Sequence, residues 1–147
     1  EAQVILDAYF EGFPNVRAYM EGAVADAREK GYTETLFGRR RQIPELASRV
    51  RAVRQAGERQ AMNAGIQGLA ADIFKLALVR LDRGLEDRGG TSRLILQVHD
   101  EVVLEVPPAD EAEITAVVLD AMSGAFDLAV PLEVNLAFGD TWAGAKA

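Results

Sequence analysis

The residues best suited to chemistry lie near the middle of the chain, where two apolar runs, 94–98 and 102–104, meet at His99, Asp100 and Glu101. Two short β-type runs with almost no spacer predict a hairpin, although the junction lacks the Asn-Gly or Asp-Gly pair that a two-residue turn favours. Hard divalent cations such as Mg²⁺ take carboxylate oxygens, and a hairpin tip would hold both carboxylates on a rigid support. A solvated acidic turn explains the same residues, and the residues alone leave both interpretations open.

A second group of polar residues, Arg59, Asn63 and Gln67, recurs every four residues in a segment that is predicted to be helical. This spacing places the three side chains on one helix face, and all three can donate hydrogen bonds. The minor groove of DNA offers purine N3 and pyrimidine O2 as acceptors at every base pair, so such donors could test pairing geometry without reading the sequence. An exposed polar helix face is the alternative interpretation.

Charge is unevenly distributed along the chain, whose net charge of −7 argues against a general polyanion binder. Residues 39–59 nevertheless hold seven arginines against two glutamates, +5 locally, whereas residues 94–147 hold ten acidic residues against one lysine, −9 locally. This pattern suits an enzyme that grips phosphates with one part and binds cations with another, although a solvated helix face also explains the arginines. The arginines are Arg39, Arg40, Arg41, Arg49, Arg51, Arg54 and Arg59.

Length and composition set the outer bounds. The 147 residues predict one domain that is large enough to bury a core. The absence of cysteine excludes disulfides and thiolate metal sites and fits a reducing cytoplasm. No apolar run approaches the ~20 residues of a membrane span, so a soluble, cytoplasmic protein with no membrane partner is expected. The chain starts at Glu1, inside a predicted amphipathic helix and without an initiator methionine, which suggests a piece of a longer protein.

The hydrophobic periodicity predicts helices and antiparallel strands in separate blocks, the α+β class. A long helix is expected from near Ser48 to Arg88, and Gly65 and Gly68 predict a bend or a break within it at residues 63–68. Glycines are also predicted to end two helices, at position 31 and at positions 89–90. The other predicted elements are helices at about 1–10, up to Lys30 and at about 110–122, an extended segment at 32–37, and a last strand at 132–138.

Three separate segments, residues 31–41, 58–72 and 97–101, resemble motifs in the C-terminal part of bacterial DNA polymerase I, the A family of DNA polymerases. The order and spacing of the three segments are those of the family, and residues 139–146 are similar to its terminus. The resemblance covers essentially all 147 residues. Three motifs in the right order make it specific.

The resemblance implies an antiparallel palm sheet with a catalytic β-hairpin packed against long helices, plus part of a helical fingers region. Residues of about 1–47 would form fingers-side helices and a basic loop, and residues of about 48–147 would belong to the palm. The implied activity is that of a DNA-directed DNA polymerase, which performs nucleotidyl transfer with two Mg²⁺ ions. The implied partners are primer-template DNA, deoxynucleoside triphosphates and the missing N-terminal part of the polymerase.

The resemblance also assigns roles to individual residues. Asp100 matches the metal-binding aspartate of the palm hairpin, Glu101 is the supporting carboxylate beside it, and His99 matches a residue that approaches the primer terminus. Two departures are Gly65 and Leu69, which stand where the family has proline and then serine or threonine. The residues that match DNA contacts are Arg59, Asn63 and Gln67 at the minor groove and Arg39, Arg40 and Arg41 near the DNA backbone.

The family's other metal aspartate and the fingers helix that holds the incoming nucleotide have no counterpart in this sequence. They are expected before Glu1, so the chain is predicted to be inactive as a polymerase by itself. One alternative is a nucleic-acid binding or assembly module that kept the fold and lost the chemistry. A small metal-dependent phosphohydrolase is another, and it would have to recruit Asp72 or Asp140 as a further metal ligand.

Overall fold

Helices make up most of the structure, a computed structural model that describes residues 2–146. Two antiparallel sheets of two strands each complete it, which confirms the predicted α+β class. The chain divides into two compact units between Ala70 and Ala71, within its longest helix. The predicted change from fingers-side to palm residues near position 47 is a different boundary and stays a prediction. No helix among residues 2–146 combines the length and apolar character needed to cross a lipid bilayer.

The helices and strands follow one another with short connections. In chain order they are α1 (Ala2–Gly12), α2 (Pro14–Lys30), β1 (Tyr32–Glu34), β2 (Arg40–Gln42), a 3₁₀ turn (Pro44–Ala47), α3 (Arg51–Arg88), β3 (Arg93–Val98), β4 (Glu101–Glu105), a second 3₁₀ turn (Pro108–Asp110), α4 (Glu111–Ser123) and α5 (Trp142–Ala145).

The first unit contains α1, α2, the β1–β2 hairpin and the first half of α3. Pro14 begins α2, because a fixed φ and a missing N–H fit the first helical turn. Gly31 ends α2 as predicted, in a left-handed conformation with φ of 79°. In the hairpin that follows, Thr33 pairs with Arg41. The core of this unit is small and consists of Ala27, Ile43, Leu46 and Ala61.

The long helix does not break at residues 63–68, because α3 is continuous there, whereas a bend at these residues stays a prediction. Its glycines serve close packing instead. A Cβ added at Gly65 would lie 2.8 Å from the hydroxyl of Tyr19, and one added at Gly68 would lie 2.7 Å from Cγ2 of Thr35. A side chain at either position would have to displace its neighbour, which is easier at Gly65, where the neighbouring atom is the far end of a tyrosine side chain.

Two further expectations need correction. Helix α3 begins at Arg51 rather than directly after Ser48, whose Oγ accepts a hydrogen bond from the backbone N–H of Val50 at 3.2 Å. Residues 132–138, which the structure describes, form no strand. Their alternating pattern is real, since Val134 packs on the core of the second unit, but a strand also needs a neighbouring ladder, which these residues lack here.

The second unit packs the β3–β4 hairpin on the second half of α3 and on α4. Its core contains Leu81 and Leu85 from α3 and Ile114, Val118 and Ala121 from α4, and Leu94, Val102 and Leu104 of the hairpin pack against that core. Arg88 ends α3 as predicted and pairs with Asp110 and Glu113, each at 2.9 Å. The hydrogen bond to Glu113 raises the pKa of Arg88. The hairpin tip is therefore carried on a well-packed base.

Candidate functional site

The tip of the β3–β4 hairpin is a two-residue turn, because Val98 pairs with Glu101 and leaves only His99 and Asp100 unpaired. His99 has φ of 54° and is the only non-glycine residue with positive φ among residues 2–146. A positive φ at the first position of a two-residue turn is a conformation that favours glycine. Holding a histidine in the left-handed region costs about 1–2 kcal/mol, and strain of this kind is typical of functional sites.

Gln97 supports the strained turn. Its Nε2 donates a hydrogen bond of 2.5 Å to the carbonyl oxygen of His99. A bulge between Leu94 and Leu96 in the same strand increases the local twist of the hairpin. This contact could not be predicted from the sequence, since nothing in the spacing of Gln97 indicates that a strand side chain folds back to the turn.

The two adjacent carboxylates at the tip differ in their surroundings. Asp100 is exposed and forms no ion pair or hydrogen bond within the described part of the chain. Glu101 is half-buried, and its Oε1 lies 2.6 Å from Nζ of Lys146. Lys146 in turn lies with its Nζ 4.9 Å from the ring centroid of Trp142. Sequence reasoning did not identify Lys146, because it lies 45 positions after Glu101 along the chain and comes close to it only in the folded unit.

The donor atoms at this tip suit a hard divalent cation, because both side chains offer carboxylate oxygens. Among residues 2–146, however, no three His, Cys, Asp or Glu side chains come together as a metal-binding group. Asp100 and Glu101 thus supply part of a coordination sphere. The ligands that the phosphohydrolase alternative would need from Asp72 or Asp140 are not assembled with them.

The predicted row of donors lies on the first half of α3. Arg59, Asn63 and Gln67 are all exposed, and the helix is regular over them, so the three side chains share one face. The buried Ala61 and Ala64 occupy another face of the same helix. This face is therefore accessible along its length and carries donors at each turn.

The three consecutive arginines follow the turn of the β1–β2 hairpin. The Arg40 guanidinium donates to Glu34, a hydrogen bond that raises the pKa of Arg40, and its Cζ lies 4.7 Å from the ring centroid of Tyr32. Nη2 of Arg41 donates to Oε1 of Gln60 on α3 at 3.0 Å. The backbone N–H of Arg39 donates to Oγ1 of Thr35 at 3.3 Å. These contacts hold Arg39 and the adjoining β2, together called the basic strand, in place on the first unit.

The structure thus brings the predicted residues together in two groups. The basic strand and the α3 donors belong to the unit that ends at Ala70, and they are linked by the contact between Arg41 and Gln60. The tip residues His99, Asp100 and Glu101 belong to the unit that begins at Ala71. The predicted contacts to the duplex therefore lie in the first unit, and the predicted cation ligands lie in the second unit together with His99, which is predicted to approach the primer terminus.

Comparison with known proteins gives consistent matches over nearly the whole chain. The family model of DNA polymerase family A matches residues 1–144. The thermostable DNA polymerase I of Thermus caldophilus is 49% identical over 146 residues, which is 99% of this chain and 17% of that protein. DNA polymerase I of Mycobacterium tuberculosis strain H37Rv is 49% identical over 142 residues, 97% of this chain and 16% of that protein. This chain therefore spans about a sixth of the length of these relatives.

A solved structure of a DNA-bound protein is also similar to this chain in fold and in sequence. The POL domain of Pol1 from M. smegmatis, in complex with DNA primer-template and dNTP, superposes with a TM-score of 0.97 and 46% sequence identity. The match covers 100% of this chain and 26% of that one.

Proposed function

This chain belongs to DNA polymerase family A, and we propose that it is the part of a DNA-directed DNA polymerase that holds primer-template DNA and carries one side of the catalytic site. The observation that carries the proposal is the hairpin tip, where a strained turn on a packed base presents an exposed Asp100 that has no partner among residues 2–146. The reaction is template-directed addition of a deoxynucleotide to the 3′ end of a primer. Residues of about 1–47 belong to the fingers side in this proposal, and residues of about 48–147 belong to the palm.

Asp100 and Glu101 are the proposed metal ligands and catalytic carboxylates. Mg²⁺ is the expected cation, with two ions in the complete enzyme, and divalent cations of this kind lower the pKa of the attacking hydroxyl and neutralise the leaving pyrophosphate. Asp100 is free to offer both oxygens, whereas Glu101 shares one with Lys146. The turn also orients His99, whose ring is proposed to approach the primer terminus. The remaining ligands would come from outside the described residues.

The α3 face is the proposed minor-groove contact. Arg59, Asn63 and Gln67 are exposed, and their donors recur once per helical turn. Because correct base pairs place N3 and O2 acceptors at nearly constant positions, donors fixed on a helix can check pair geometry for any sequence. The structural relative from M. smegmatis, described with primer-template and dNTP, supports this assignment at 46% identity.

The basic β2 strand is the proposed contact to the DNA backbone. Arginine binds phosphate through a planar fork of donors, and a fork that is already oriented loses less side-chain entropy on binding. Glu34 and Tyr32 orient Arg40, and Gln60 orients Arg41. Arg39 precedes both on the same hairpin. The three arginines would position the duplex without reading its sequence.

Primer extension by the complete polymerase tests the proposal. Asp100→Ala should lower extension with Mg²⁺ by at least about a thousandfold, because loss of a ligand removes several kcal/mol of transition-state stabilisation. Asp120→Ala, an exposed aspartate on α4, is the matched control and should extend normally. Both variants should bind primer-template.

Near-normal extension by the Asp100 variant would exclude Asp100 as a metal ligand. Binding of primer-template by the complete wild-type protein, with no extension under any condition, would instead favour the nucleic-acid binding or assembly module.

A further inference from the structure

One of the two carboxylates at the hairpin tip already carries a cationic partner. Nζ of Lys146 lies 2.6 Å from Oε1 of Glu101, whereas Asp100, the next residue, has no such partner among the described residues. The two adjacent carboxylates therefore differ in whether a positive charge already lies beside them.

The position of Lys146 is set by the short helix α5. Oγ1 of Thr141 accepts a hydrogen bond from the N–H of Gly144 at 3.1 Å and so caps the start of α5. Gly139 lies against the helix so closely that an added Cβ would be 2.7 Å from the backbone nitrogen of Ala145. The Lys146 amine finally stacks at 4.9 Å on the ring of Trp142. The amine is therefore placed by the fold of the segment that follows Gly139.

Stability is a poor explanation for this ion pair. The side chains of Lys146 and Glu101 are 52% and 43% exposed, and ion pairs with that exposure contribute little to the free energy of unfolding. A nearby positive charge does, however, change how a carboxylate orients and how strongly it attracts a second cation. The contact should therefore change how strongly Glu101 binds a divalent cation.

We propose that Lys146 is a positioning residue that holds Glu101 toward α5, so that the hairpin tip offers Asp100 alone as its strong cation ligand. The inference rests on the proposed function. Without Lys146, both carboxylates would be free to bind one cation and would hold it more tightly before DNA and nucleotide arrive. With Lys146, the tip has one less net negative charge, and Glu101 is paired with the lysine rather than free to bind the cation.

Binding of Mn²⁺ to the complete polymerase without DNA, followed by the electron paramagnetic resonance of free Mn²⁺, tests this. The site is defined as the Mn²⁺ binding that Asp100→Asn removes. Lys146→Met should tighten that binding about two- to fivefold, the range that an exposed ion pair contributes. Lys146→Arg keeps the charge and should restore wild-type affinity.

Two controls separate positioning from a general change in charge. Lys75→Met removes an exposed positive charge elsewhere in the same unit and should leave Mn²⁺ affinity unchanged. Lys146→Met combined with Glu101→Gln should bind Mn²⁺ no more tightly than Glu101→Gln alone, because the lysine acts through that carboxylate. Equal tightening in both backgrounds would overturn the inference.

The outcome also distinguishes this inference from the proposed function. If Asp100→Asn removes a Mn²⁺ site and primer extension, but Lys146→Met leaves Mn²⁺ affinity unchanged or weakens it, only the role of Lys146 is overturned. If Asp100→Asn changes neither Mn²⁺ binding nor extension, the proposed metal site fails and the inference fails with it.

Discussion

At the scale of single residues, the chain departs from the local rules where the proposed chemistry is. A histidine occupies a turn position that favours glycine, and an aspartate beside it has no partner among the described residues. Neither choice stabilises the hairpin, which instead depends on the packing of Leu94, Val102 and Leu104 on the core. The sequence indicated the site because acids are rare between β-type runs. It could not indicate Gln97 or Lys146, whose roles depend on the fold of the turn and of α5.

Replacing His99 by glycine tests whether strain is traded for function. His99→Gly relieves the left-handed conformation and should raise the free energy of unfolding by up to about 1 kcal/mol, while primer extension decreases. Urea unfolding without metal and extension by the complete enzyme measure the two effects. Arg93→Gly, in strand β3, is the control and should lower the free energy of unfolding. A less stable His99 variant would mean that the imidazole itself stabilises the turn.

At the scale of elements, the sequence predicted those features that are encoded locally. Gly31 ends α2 and Gly89 ends α3 because each adopts positive φ, and periodicity identified α3 and α4. The predicted break in α3 was wrong because a glycine that permits close packing has the same one-dimensional signature as a glycine that weakens a helix. The prediction of a last strand at residues 132–138 was wrong because an alternating pattern shows only which side chains face the core. A strand also requires a neighbouring strand with which to form hydrogen bonds.

The α3 glycines offer a test of the packing explanation. At Gly57 an added Cβ would lie 2.9 Å from Cβ of Glu45 and 3.0 Å from the backbone nitrogen of Leu46, so Gly57→Ala should lower the free energy of unfolding by about 1–3 kcal/mol. At Gly65, the described residues place only one atom outside the helix backbone within 4 Å of an added Cβ, the movable hydroxyl end of Tyr19. Gly65→Ala should therefore stabilise the protein by up to about 1 kcal/mol through helix propensity. Thermal and urea unfolding measure both, and a reversed order would refute close packing as the reason for these glycines.

The α3 face and the basic strand should respond differently to substitution. Gln67→Ala should weaken extension similarly on all matched sequences and change discrimination against mismatched primer ends by about tenfold, because mismatches displace the groove acceptors.

Arg39→Ala should weaken DNA binding uniformly and reduce its salt slope by about one, with mismatch discrimination intact. Asn15→Ala, an exposed residue of α2, should do neither. The measurement for all three variants is extension by the complete enzyme from matched and mismatched primers at several salt concentrations. If the Gln67 variant equals wild type on both kinds of primer, this face of α3 is only exposed to solvent and does not contact the minor groove.

At the scale of the whole molecule, the two units differ in net charge. Residues 1–70 carry ten basic and nine acidic side chains, a net charge of +1, whereas residues 71–147 carry six and fourteen, a net charge of −8. A unit with a basic strand suits a polyanion, and a strongly acidic unit suits cations. The sequence predicted a related contrast, between the basic residues 39–59 and the acidic residues 94–147, because local charge depends on composition alone. Sequence could not predict the division within α3, because helical periodicity continues across it.

The last prediction concerns the chain by itself. The described residues assemble two carboxylates at the hairpin tip and no group of three potential ligands, and the chain spans 17% of the length of its Thermus relatives. Nucleotidyl transfer with two cations needs ligands that clamp both, so the 147-residue chain alone should not extend a primer with Mg²⁺ and nucleotides. The check is an extension assay on the purified chain beside its Asp100→Ala variant. Activity that is equal in both comes from a contaminating host polymerase, whereas template-dependent extension that Asp100→Ala abolishes would show that these residues form a complete catalytic site.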